Sequence, residues 1–151
     1  MSNLSLKYLL NLAKSALEAK QTELAPTEEN PEPELTEIET LFLSCSIEKG
    51  RAGYLPETTP YILLAAEKVG NDNLLEDSAL LKKNGEILVF IGQSSLANED
   101  AVLDCYELAD YIFQLLRDAF GQRILSAKSE TDSYYNNISV VLLTLGVFTN
   151  A

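Results

Sequence analysis

Glu86-Ile87-Leu88-Val89-Phe90-Ile91-Gly92 is the stretch on which the fold turns. Its apolar residues run without a break from Ile87 to Ile91, so neither face of an extended chain would be polar. A strand of this kind suits a sheet interior covered on both sides, or on one side by a neighbouring subunit. The run is short, and the Asn84-Gly85 pair before it is a turn signal.

Downstream of this strand the period changes. Ala101, Cys105, Leu108, Ala109, Ile112, Leu115, Leu116, Ala119 and Phe120 recur at three- and four-residue spacing and predict a long amphipathic helix. Asn98 is a candidate cap, Glu99 and Asp100 suit the positive end, and Gly121 sits where helices commonly stop. The polar stretch from Ser126 to Asn137 reads as a loop, and Ile138 to Phe148 as a closing strand.

Upstream, Tyr61 to Glu67 predicts a strand whose leading Pro60 fits a first position. Residues 74–81 are ambiguous between a loop and a short strand. Leu41, Leu43, Cys45 and Ile47 alternate with Phe42, Ser44 and Ser46, which predicts a strand over Thr40–Ile47. Leu6, Leu9, Leu10, Ala13, Ala16 and Leu17 predict a helix over residues 3–20, with Ser2 or Asn3 as its cap. Residues 21–37 between them carry Pro26, Pro31, Pro33 and six glutamates, and read as a mobile acidic loop. The expected fold is one α+β domain over residues 1–151. About four mostly antiparallel strands carry two amphipathic helices on one face.

Composition narrows the function. The 151 residues include 23 Asp+Glu against 11 Lys+Arg, for a formal charge of −12, and no histidine. The hydrophobic fraction of 46% is that of a folded domain rather than an acidic tail. Without His there is no Ser-His-Asp or Cys-His machinery and no His-ligated zinc. Lys82-Lys83 is the only adjacent basic pair, which argues against nucleic-acid binding. No apolar run reaches the ~18 residues of a membrane helix. The N-terminus lacks the pattern of a signal peptide, so synthesis in the cytoplasm is expected. Cys45 and Cys105 sit in apolar patterns and read as buried thiols, not as a disulfide or a nucleophile.

Asp100, Asp104, Glu107 and Asp110 share the outer face of the long helix. Oxygen ligands at that spacing could hold Mg²⁺ or Ca²⁺, and paired acids could do general acid–base work. The plainer reading is a solvated helix face, since no Asp-rich calcium loop and no Trp platform accompany it. No catalytic set, cofactor or metal is therefore expected. The loop tyrosines Tyr54, Tyr134 and Tyr135 remain as contact candidates, because tyrosine offers a large rigid surface with a polar tip.

Tyr54-Leu55-Pro56 followed by Pro60-Tyr61-Ile62-Leu63-Leu64 resembles the "Y-L-P … P-Y-I-L-V" stretch of small structural proteins of tailed phages and prophages. The strand 86–92 is similar to their "V-x-V-x-I-G" strand. Asp100, Asp104, Ile112 and Leu116 resemble the spacing of the long helix that follows it. The group is the tail-terminator, or tail-completion, family of head-tail joining proteins. The resemblance implies a non-enzymatic virion protein that forms a ring, commonly a hexamer, at the head-proximal end of a phage or phage-like tail. Its partners would be copies of itself, the tail tube and the head-side connector. Tyr54, Leu55 and Tyr61 would carry the assembly interface, with Tyr134 and Tyr135 as secondary contacts. A different reading is an adaptor that binds a protein partner through the acidic segment 21–37.

Overall fold

The computed structural model describes residues 5–51, 54–69, 83–96, 98–132 and 137–149. Helix α1 spans Leu6–Leu24. It is capped by Ser5, whose hydroxyl accepts the Tyr8 N–H at 3.1 Å. Ser2 and Asn3, the expected caps, lie outside the described residues. Leu9, Ala13 and Leu17 lie one turn apart on α1 and are fully buried.

A second helix, α2, spans Glu37–Ser44, where the alternation had predicted a strand. Local chemistry decides it. Thr36 and Glu39 form a reciprocal capping box, with the Glu39 N–H donating to Thr36 Oγ1 at 3.1 Å and the Thr36 N–H to Glu39 Oε1 at 2.9 Å. Ile38, Leu41 and Phe42 then fall at helical spacing, and Phe42 is buried with its ring 5.2 Å from that of Tyr111. Gln21 of α1 clips the far end, donating from Nε2 to the carbonyls of Phe42 at 3.0 Å and Cys45 at 2.8 Å. Only then does the chain extend, as β1 (Ser46–Lys49). Residues 25–36 carry neither helix nor strand, and most of them are exposed.

Strands β2 (Tyr61–Lys68) and β3 (Gly85–Ser94) follow. The long helix α3 spans Ala101–Phe120. Asn98 organises its start differently from a simple cap. Its Oδ1 accepts the Asp100 N–H and its Nδ2 donates to Asp104 Oδ2, both at 2.9 Å. Gly121, at φ 62°, turns the chain out of α3 in a conformation that favours glycine. A 3-10 turn then leads into β4 (Ile124–Thr131), and β5 (Ile138–Val147) closes the chain. β4 replaces much of the expected loop at 126–137. Its residues are largely exposed, so it has no hydrophobic alternation to reveal it.

The five strands form one sheet in the order β1-β2-β3-β5-β4. β1 runs parallel to β2, and the other three pairings are antiparallel. The fold is therefore α+β, with one strand and one helix more than expected. All three helices pack on one face, over Ile62, Leu64, Ile87, Val89, Ile91, Val141, Leu143 and Leu145. The opposite pleat carries a second cluster of Tyr61, Leu63, Ala65, Leu88, Phe90 and Val140. β3 is thus buried on both faces.

Tyr61 and Gly92 are direct partners across β2 and β3. The hydroxyl end of the Tyr61 ring lies against Gly92, and a Cβ there would overlap it. Gly92→Ala is expected to destabilise the chain by about 1–3 kcal/mol through overpacking. Gln21→Ala is expected to remove about 1–3 kcal/mol, chiefly by taking the donor from the part-buried Cys45 carbonyl, since the Phe42 carbonyl keeps the Cys45 N–H. A lower urea midpoint at unchanged slope checks both.

Candidate assembly surface

Tyr54 stands on the connection between β1 and β2, with 68% of its surface exposed. It is held rather than loose. Its N–H donates to the Arg51 carbonyl at 3.1 Å, and the Arg51 guanidinium lies 4.8 Å from its ring centroid. An exposed cation–π contact of this kind is worth about 0.5–1 kcal/mol. Leu55 turns inward and packs, half-buried, on the second-face cluster. Tyr61 is fully buried within that cluster, and its hydroxyl has no hydrogen-bond partner. Of the three expected contacts on this stretch, only Tyr54 is presented to solvent. Tyr61 instead supports the sheet beneath. Tyr134 and Tyr135 lie outside the described residues.

The second face also carries a cleft of about 640 Å³. Leu88, Phe90 and Leu142 line it, with charged residues around them. Glu67 and Glu86 sit directly opposite each other across β2 and β3, and Lys83 Nζ lies 3.0 Å from Glu86 Oε2, which offsets their repulsion. On the β4 side Lys128 Nζ lies 3.5 Å from Glu130 Oε1. Both are well exposed, so this pair contributes little to stability.

Sequence reading missed three contact features. Leu96 (76% exposed) follows β3, and Leu103 (62%) lies on α3 off its apolar stripe. The signal for Leu103 was only a Leu at a position the period assigns to solvent. The third is the outer edge of β4, which ends the sheet. The acids of α3 behave as a solvated face: Asp100, Glu107, Asp110 and Asp118 are exposed, and Asp104 is half-buried against Asn98. Among the described residues no group of three or more His, Cys, Asp or Glu is placed to hold a metal ion. No helix among them is long and apolar enough to cross a membrane.

Three buried groups give the chain an alkaline limit. Burial pushes the thiols of Cys45 and Cys105 up to about 12, and the Tyr61 phenol likewise to about 12. Both thiols therefore stay protonated at neutral pH and are poor nucleophiles. The folded chain holds these protons more tightly than the unfolded chain, where ordinary values are 9.0 for the thiols and 10.0 for the phenol. The stability they contribute is complete below pH ~9 and declines as pH rises towards ~12. Urea midpoints that fall over that window, with native thiols labelling far more slowly than unfolded ones at pH 8, are the expected result.

No protein-family model matches the chain, and no curated protein sequence matches it.

Proposed function

We propose that this chain is a non-enzymatic, ring-forming subunit of a phage or phage-like tail. In this reading it acts as a tail terminator at the head-proximal end and sits in the virion between tail tube and head-side connector. The observation that carries the reading is Tyr54, an aromatic side chain 68% exposed yet fixed in place beside the second face of the sheet. The core residues of that face are already buried within one copy, so its rim and cleft are what is left to meet a neighbour. Tyr54 adds a rigid aromatic contact at the end of that face, clamped by Arg51 and underpinned by Leu55. Ring closure needs two different, complementary surfaces on each copy, and a sheet with helices on one side and a cleft on the other provides that asymmetry.

The order of elements also supports the family resemblance. A leading helix, a short strand, the Tyr54–Leu64 stretch, the β3 strand, the long α3 helix and a closing strand occur in the order of the tail-terminator pattern, with α2 and β4 as additions to it. The charge of −12 per copy suits a ring through which DNA passes, since like charge opposes binding to phosphates.

Sedimentation velocity and negative-stain imaging test the proposal, on the chain alone and with polymerised tail-tube protein from the same source. Rings, or rings seated on tube ends, are expected. Tyr54→Asp should reduce ring assembly at least tenfold, as removal of an anchor costing ~2 kcal/mol would, while leaving the circular dichroism spectrum unchanged and lowering stability by no more than the ~1 kcal/mol of the Arg51 contact. Absence of rings in both settings overturns the proposal. A stable monomer whose partner binding is lost on removing residues 25–36 would favour the adaptor reading instead.

A further inference from the structure

The outer edge of β4 has a self-complementary pattern. The Asp132 N–H donates to the Val140 carbonyl at 2.9 Å, and the same register continues through Glu130↔Leu142, Lys128↔Thr144 and Ser126↔Gly146. In an antiparallel ladder the hydrogen-bonding residues alternate, so these even-numbered residues turn their backbone groups towards β5. The N–H and C=O groups of Ala127, Ser129 and Thr131 therefore point away from the sheet, along its free edge. Among the described residues β4 has no strand neighbour on that side, and none of these three residues has a backbone bond beyond the ladder. Such a row of unpaired donors and acceptors is a template for another strand.

Charge selects which strand and in what register. Lys128 and Glu130 project from the same pleat and are both exposed. If a second copy adds its β4 antiparallel, the outward-facing odd residues must pair with one another, which restricts the two-fold axis to a few positions. An axis at Lys128 sets Lys128 against Lys128 of the second copy. An axis at Glu130 sets Glu130 against Glu130. An axis at Ser129 pairs Ser129 with Ser129 and Ala127 with Thr131, uses all three pairs of outward backbone groups, and sets each Lys128 opposite the other copy's Glu130. Directly opposed side chains in such pairs have Cβ atoms roughly 5 Å apart, where opposite charges attract and like charges repel.

We propose that β4 is a homodimerisation edge: two copies pair their β4 strands antiparallel about a two-fold axis at Ser129, extending one continuous sheet across both. The contact is isologous and thus distinct from the heterologous contacts of a ring. It does not rest on the tail reading, and it covers the longer of the two sheet edges among the described residues.

Charge exchange tests the register. Sedimentation equilibrium of the full chain at ~0.15 M salt should show a monomer–dimer equilibrium. Lys128→Glu and Glu130→Lys, each alone, put like charges opposite one another at two symmetric places and should weaken dimerisation about tenfold or more. The double exchange Lys128→Glu/Glu130→Lys should restore it to within about threefold. Ser129→Pro deletes an outward N–H at a position where an edge strand tolerates proline, and should yield monomer with an unchanged circular dichroism spectrum. A wild-type chain that stays monomeric at several hundred micromolar overturns the proposal. So does a dimer indifferent to the single reversals, or one not restored by the double exchange. Tyr54→Asp should leave this dimer intact, so loss of rings and loss of the β4 contact are separable results.

Discussion

Strand β3 carries a constraint that organises everything around it: five consecutive apolar side chains, from Ile87 to Ile91, must all leave water. A strand sends alternate residues to opposite faces, so one layer of helices can cover only Ile87, Val89 and Ile91. Leu88 and Phe90 demand a second layer. β2 and β5 answer by continuing the apolar rows on that side, with Leu63 opposite Phe90 on one flank and Leu142 on the other. Burial of one such side chain is worth roughly 1.5–3 kcal/mol, so the central strand outweighs any single loop contact. The Tyr61–Gly92 pair belongs to the same solution. An aromatic ring set against a glycine covers backbone where β3 has no side chain of its own.

What the sequence disclosed follows from that logic. Two kinds of pattern were legible: the helical stripes of α1 and α3, and the nearly unbroken apolar runs of β2, β3 and β5. Two segments were not. Leu41, Leu43, Cys45 and Ile47 alternate because the last turn of α2 runs directly into the short strand β1, so two periods were read as one. The deciding signal was polar and lay outside the alternation, in the Thr36–Glu39 capping box. β4 was illegible for the opposite reason. An edge strand bordered by water needs no apolar face, and what holds it is backbone hydrogen bonding to β5, which any sequence without proline can supply.

The surface was legible only in outline. Tyr54 was found because it lies in a loop just before Pro56, away from any apolar period, and such a tyrosine has no core to enter. Tyr61 sits only seven residues later yet belongs to a strand, and strand position overrides residue type. The phenol that would make it an interface anchor instead stays buried, uncharged and without a partner. Leu96 and Leu103 stood out in neither period nor composition.

A chain at −12 that associates with itself must reconcile long-range repulsion with short-range attraction. Screening separates the two. At physiological salt the Debye length is about 8 Å, so acids spread over the surface repel weakly across a contact, while charges brought within a few ångströms still interact. Local arrangement therefore decides where copies can meet. The exposed segment 25–36 carries Glu28, Glu29, Glu32 and Glu34 without a single cation, and two such segments cannot face each other. β4 instead alternates Lys128 with Glu130, which gives one register of attraction between two of repulsion. In the proposed pairing such an edge is both protected and addressable: its charges disfavour most registers and favour its own reverse copy.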